Sequence, residues 1–119
     1  MSDTPIPAGQ WQQFCETFTR RHHGWPVSLS RVDTDATDSE SPVPQFEGYR
    51  TLQEVREGNR GDCADIMVTV GEGTDEVSFL IEDAIALYSR TGSATQEGLR
   101  IDTGNGMSAL VEFRRDAAG

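Results

Sequence analysis

Lysine is absent from this chain of 119 residues: all ten basic residues are Arg, set against twenty Asp and Glu, for a formal net charge of -10. Nucleic acid and anionic membrane surfaces bind through clustered cations that release counterions, so neither is an expected partner. Cysteine is nearly absent too, with Cys15 and Cys63 alone and no CxxC spacing between them. That removes a disulfide framework and a closed zinc site from the pattern, and leaves two free thiols as the expectation. No apolar run approaches the roughly 20 residues that a spanning helix needs. The opening MSDTPIP has no charged-then-apolar leader, so a cytoplasmic location is expected. A chain this long buries roughly two-thirds of the surface its unfolded form exposes, enough for one core.

The acid excess has two readings. A GC-rich genome disfavours lysine codons. Concentrated salt, the halophilic reading, favours a carboxylate-rich surface whose self-repulsion is screened within about 3 Å at molar ionic strength.

Residues 1–7 hold two prolines and no apolar period, and are expected to be a flexible lead-in. Trp11, Phe14, Cys15 and Phe18 then recur at i, i+3, i+4 and i+7, which predicts an amphipathic helix over 8–22. Arg20, Arg21, His22 and His23 crowd its last turn, Gly24 is placed to cap it, and Trp25-Pro26 cannot continue it. From there the period falls towards two. Strands are expected over Pro26 to Asp33, over Phe46 to Glu57 with a bend, around Ile66, Val68 and Val70, and over Val77 to Leu87 with a kink at Glu82-Asp83. Two more run over Leu99 to Asp102 and Met107 to Phe113, joined by Asn105-Gly106 as a type I′ hairpin. Thr34 to Pro44 and Thr91 to Gly98 read as loops, the EGNRGD at 57–62 as a turn, and residues 114–119 as a frayed tail. The expected fold is therefore α+β: one globular domain over 8–113, its N-terminal helix packed on a strongly bent antiparallel sheet or small open barrel of about six strands.

Catalytic and metal patterns fail on spacing. Cys15 and His22 share a helix face, but seven residues rise about 10 Å, too far for a nucleophile and its base. His22 and His23 are adjacent and point about 100° apart, so they do not chelate. Asp33, Asp35 and Asp38 suggest a calcium loop, yet Asp38 stands where Gly is required and Pro44 where Glu is. The GEG at 71–73 and TGNG at 103–106 open no helix and read as turns. No catalytic residue, metal ligand or cofactor is assigned. His22, Trp25 and Cys63 are the candidate ligand-binding residues.

The segment Trp11-x-x-Phe14-x-x-x-Phe18-x-x-x-His22-x-Gly24-Trp25-Pro26-Val27, with Glu47-Gly48, Gly98-Leu99-x-Ile101 and Leu110-Val111-x-Phe113, resembles the bacterial domain of unknown function 5335 family. The resemblance covers most of 8–113 and implies a histidine where this chain has Phe79 and a proline where it has Ala84. It brings no activity with it.

The expected function is that of a small, soluble, acidic, non-enzymatic domain acting by self-association or by binding a protein, with Val77 to Leu87 as the edge that pairs. The alternative is a small-ligand-binding protein or enzyme, with a pocket between helix and sheet near His22, Trp25 and Cys63. A DNA mimic would need carboxylates at phosphate-like spacing on one face.

Overall fold

The predicted apolar stripe forms a helix. In the computed structural model, which describes residues 2–33, 43–60, 63–91 and 96–113, Ala8–Gln10 make one 3-10 turn and α1 runs over Trp11–His22. Trp11, Cys15, Phe18 and His22 are its buried residues. The Trp11 indole N–H donates to the Ile6 carbonyl at 2.7 Å, tying the helix start to the preceding chain. Gly24 leaves the helix at φ 91°, a conformation that L side chains rarely adopt.

Among the described residues nine strands follow or precede it rather than about six: β1 Ser2–Pro5, β2 Pro26–Asp33, β3 Val43–Pro44, β4 Arg50–Arg60, β5 Cys63–Val70, β6 Val77–Ile81, β7 Ala84–Thr91, β8 Gln96–Thr103 and β9 Met107–Phe113. All pair antiparallel in the order β1-β7-β8-β9-β2-β4-β5-β6, with β3 beside β2. Among the described residues β1 and β6 do not meet, so the sheet stays open.

Each additional strand has a physical cause. Residues 1–7 are not a free lead-in: Ser2 to Pro5 pair with Thr91 to Tyr88, and the Ile6 N–H donates to the Leu87 carbonyl at 2.8 Å. So short and polar a strand has no period of its own and exists by pairing. Val43–Pro44 likewise borrows the margin of β2. The kink at Glu82-Asp83 is a crossing between separate strands. β6 stays on β5, whereas β7 lies between β1 and β8. Asp83 turns the corner at φ 57°, its N–H donating to the buried Asp65 carboxylate at 3.1 Å and its carbonyl accepting from the Gly104 N–H at 3.0 Å.

Other boundaries shift. β4 begins at Arg50, after a bend over 45–48, and runs on through Arg60. The hairpin at 104–106 has three loop residues with Gly106 at φ 88° and Asn105 at negative φ, a type I turn with a glycine bulge instead of type I′. Of the expected loops, 34–42 and 92–95 lie outside the described residues, as do 61–62 and the tail 114–119.

The sheet creases where β2 and β4 meet. They pair only at Pro26 with Thr51 and Val27 with Arg50, while β2 runs the length of β9 and β4 the length of β5. The two halves share one core, with Leu29, Leu52, Ile66, Ile81, Leu87 and Leu99 fully buried. No described helix is long and apolar enough to cross a membrane.

Past the crease β4 has lost its neighbour, and α1 takes that place. The Leu52 N–H donates to the Trp25 carbonyl at 2.8 Å and the Gly24 N–H to the Leu52 carbonyl at 2.9 Å. Further along, the Val55 N–H donates to Thr19 Oγ1 at 2.9 Å, and that hydroxyl donates back to the Val55 carbonyl at 3.0 Å. One side chain thus satisfies both backbone groups of a buried strand residue. Replacing Thr19 by Val orphans both, and a stability loss of about 2 kcal/mol is expected from denaturant midpoints. Thr19→Ser, which keeps the hydroxyl, is expected to retain most of the wild-type value; equal losses for the two variants would contradict the assignment.

Candidate functional site

His22 and Trp25 come together, and Cys63 does not join them. The His22 ring lies 4.5 Å from Phe18, 4.5 Å from Phe113 in a stacked arrangement, and 4.8 Å edge-on from Trp25. Phe113 also meets Trp25 at 5.1 Å and Phe18 at 5.6 Å, and Phe14 extends the row. Helical spacing presents Phe14, Phe18 and His22 on one stripe, and the end of β9 brings Phe113 against it. His22 Nδ1–H donates to the Phe18 carbonyl at 2.9 Å. These rings are packed on one another and the imidazole is a member of the packing, holding the helix exit against the sheet.

Cys63 opens β5 opposite Arg60. Trp25 lies level with Leu52 on β4, and the eight residues from Leu52 to Arg60 span roughly 25 Å of strand. Along the backbone, Cys63 thus lies at the far end of β4 from the point where Trp25 meets it.

A cavity does lie between helix and sheet, in a different place. About 300 Å³ opens beside the Thr19–Val55 contact, between α1 and β4, with buried Cys15 and Val55 in its lining. Glu16, Glu54 and Glu57 are among its walls, with Arg20 and Arg56 beside them. The i, i+4 spacing of Gln12, Glu16 and Arg20, next to Cys15 and Thr19, is the sequence signal for this wall. It escapes notice beforehand because an exposed polar stripe reads as a solvated face. Burial, with added repulsion from Glu57 and Glu16, pushes the Cys15 thiol up to about 12. At neutral pH it is protonated and a poor nucleophile.

The second feature is the outer margin of β6. Its expected place at a sheet edge holds for Val77 to Ile81; in β7, Ala84 to Leu87 pair with β8 on one side, and the opposite side is covered only from Leu87 onward, by Ile6 and β1. Leu80 is 45% exposed and Val77 37%, while Phe79 packs its half-buried ring 5.6 Å from Phe46. Val43 and Tyr49 are exposed on the neighbouring segment. Arg31, opposite Val43 on β2, reaches across to donate from Nη2 to the Leu80 carbonyl at 3.4 Å. Among the described residues no group of three His, Cys, Asp or Glu side chains is placed to hold a metal. No family model, curated protein or solved structure matches the chain.

Burial holds the His22 pKa below its ordinary value, opposed by the bond to the Phe18 carbonyl and aided by nearby Arg21. A depressed folded-state pKa means that the unfolded chain takes up the proton first. His22 therefore contributes stability fully above about pH 6.5, the unfolded value, and loses it as pH falls towards the folded pKa. Between about pH 7.5 and 5.5 the wild type is expected to lose more stability than His22→Phe, measured as urea midpoints of both. Parallel pH profiles would remove the histidine from the account.

Proposed function

We propose that the protein is a non-catalytic binding domain that takes an extended segment of a protein partner along the outer margin of β6, where no described strand pairs. The support is the unequal protection of the sheet's margins. Unpaired strand edges template association, and stable proteins cover them or blunt them with proline and charge. β1 carries Asp3 and Pro5. The margin of β4 is occupied by α1 through Thr19 and Gly24. β6, VSFLI, carries neither proline nor charge, and it exposes Val77 on the face that holds half-buried Phe79 and Leu80 on the opposite face. An added strand would gain main-chain hydrogen bonds there and bury those side chains, the combination that strand addition uses.

The α1/β4 cavity supports a small-ligand reading less well. Its volume is at the lower end for ligand pockets, its thiol is held protonated, and the Thr19 hydroxyl is already spent on Val55.

Peptides selected from a displayed random library on the immobilised protein provide the test. Leu80→Lys places a charge on the margin without touching the core, and the selected peptides are expected to lose at least about tenfold in affinity to it. Peptides that bind Leu80→Lys unchanged but lose affinity to Glu57→Gln, in the cavity wall, would move the function to the cavity.

A further inference from the structure

Charge identifies the strand that this margin accepts. From Gly61 to Ser89 the chain has no basic residue and seven acids, although the whole sequence holds one Arg for every two acids. That stretch supplies β5, β6 and most of β7. Glu72, Asp75 and Glu76 before β6, and Glu82 and Asp83 after it, are all exposed. An uncharged apolar strand is therefore bracketed at both ends by carboxylates. Of the described bases, Arg31 meets β6 itself and Arg50 lines a cleft with Glu72 and Asp75, whereas Arg90 and Arg100 lie on the other half of the sheet, paired with Glu112 at 3.6 Å and with Asp102 at 2.8 Å.

Resting on the strand-addition reading, we propose that the occupant of β6 is an extended apolar segment of a different protein, flanked on both sides by Arg or Lys. A second copy of this chain fits poorly. Antiparallel pairing over the full length of β6 would set Glu76 against Glu82 at both ends, and parallel pairing would set each against itself. Like charges directly opposite one another on paired strands are destabilising, and each copy adds a net charge of -10. The chain's own residues 34–42 are excluded on the same ground, since they carry Asp35, Asp38 and Glu40 and no base.

The margin already accepts one cation. The Arg31 guanidinium, supplied by β2, donates to the Leu80 carbonyl, a contact that a flanking arginine of the partner would repeat at the strand ends. Opposite charges across the ends fix register and speed encounter, whereas the apolar centre of the strand supplies the buried area.

Three probes separate the outcomes on the full chain: a short peptide of alternating Thr and Val with paired Arg at both ends, its twin with paired Glu, and the protein itself by light scattering. The Arg-ended peptide is expected to bind at least about tenfold tighter than its twin in dilute buffer. It should also slow amide exchange at Val77–Ile81 and lose its preference in molar salt. The double variant Glu76→Gln, Glu82→Gln, changed only at exposed positions, is expected to bind both peptides alike. If the wild type binds both equally at β6, the charge inference falls and strand addition stands. Dimers that pair through β6 and exclude both peptides would overturn the inference in favour of self-association. A monomer that binds neither peptide would overturn the inference and the strand-addition reading together.

Discussion

Thr19 and Val55 make the contact on which the rest of the structure depends. A sheet that creases between β2 and β4 strands the backbone of β4 beyond Thr51, next to the protein interior, where an unpaired N–H or carbonyl costs about 1–3 kcal/mol. The helix meets that demand with one hydroxyl and with the backbone of its exit. Its position along β4 is thereby set. Once there, its apolar stripe falls over the core, and its last turn brings His22 against Trp25 and Phe113.

The same placement accounts for the cavity and for the uncovered margin. Helix and strand are joined at Thr19, and the cavity lies beside that contact, lined by Cys15 and Glu16 from the helix and by Glu54 and Glu57 from the strand. With its only long helix committed to β4, the chain has nothing regular left, among the described residues, to lay over β6. The sheet remains open because β1 and β6 end on opposite sides of the strand order. Burial and solvation thus explain most of the polar side chains near the helix, whereas nothing in folding requires Val77 and Leu80 to stand in water. In the reading proposed above, a partner strand covers that surface.

The elements that sequence periodicity reveals are those whose order comes from burial. Trp11, Phe14, Cys15 and Phe18 announce α1, and the alternation of Ile66, Val68 and Val70 announces β5, because each buries one face. β1 has no such alternation, and its order comes from a neighbour more than eighty residues away in sequence. A run of β-formers from Val77 to Leu87 does not distinguish a kink from a crossing. The difference lies in the Asp65 carboxylate and the Gly104 N–H that hold Asp83 in place, and both are remote in sequence. The site was legible to a similar degree. His22 and Trp25 are recognisable as neighbours through the helix exit, whereas the place of Cys63 depends on strand register, which sets it far along β4 and which local sequence does not carry. Thr19 was not legible, since one threonine on a polar flank gives no sign of the strand it will meet.

Backbone amide exchange on the free protein, resolved residue by residue, tests most directly the claim that α1 protects one margin and leaves the other open. The Val55 amide, bonded to Thr19 rather than to a strand, is expected to exchange as slowly as the amides shared by β4 and β5. Along β6, amides directed at β5 should be protected and the alternate ones should exchange at rates close to those of exposed turns. Fast exchange at Val55, or uniform protection from Val77 to Ile81, would contradict the account.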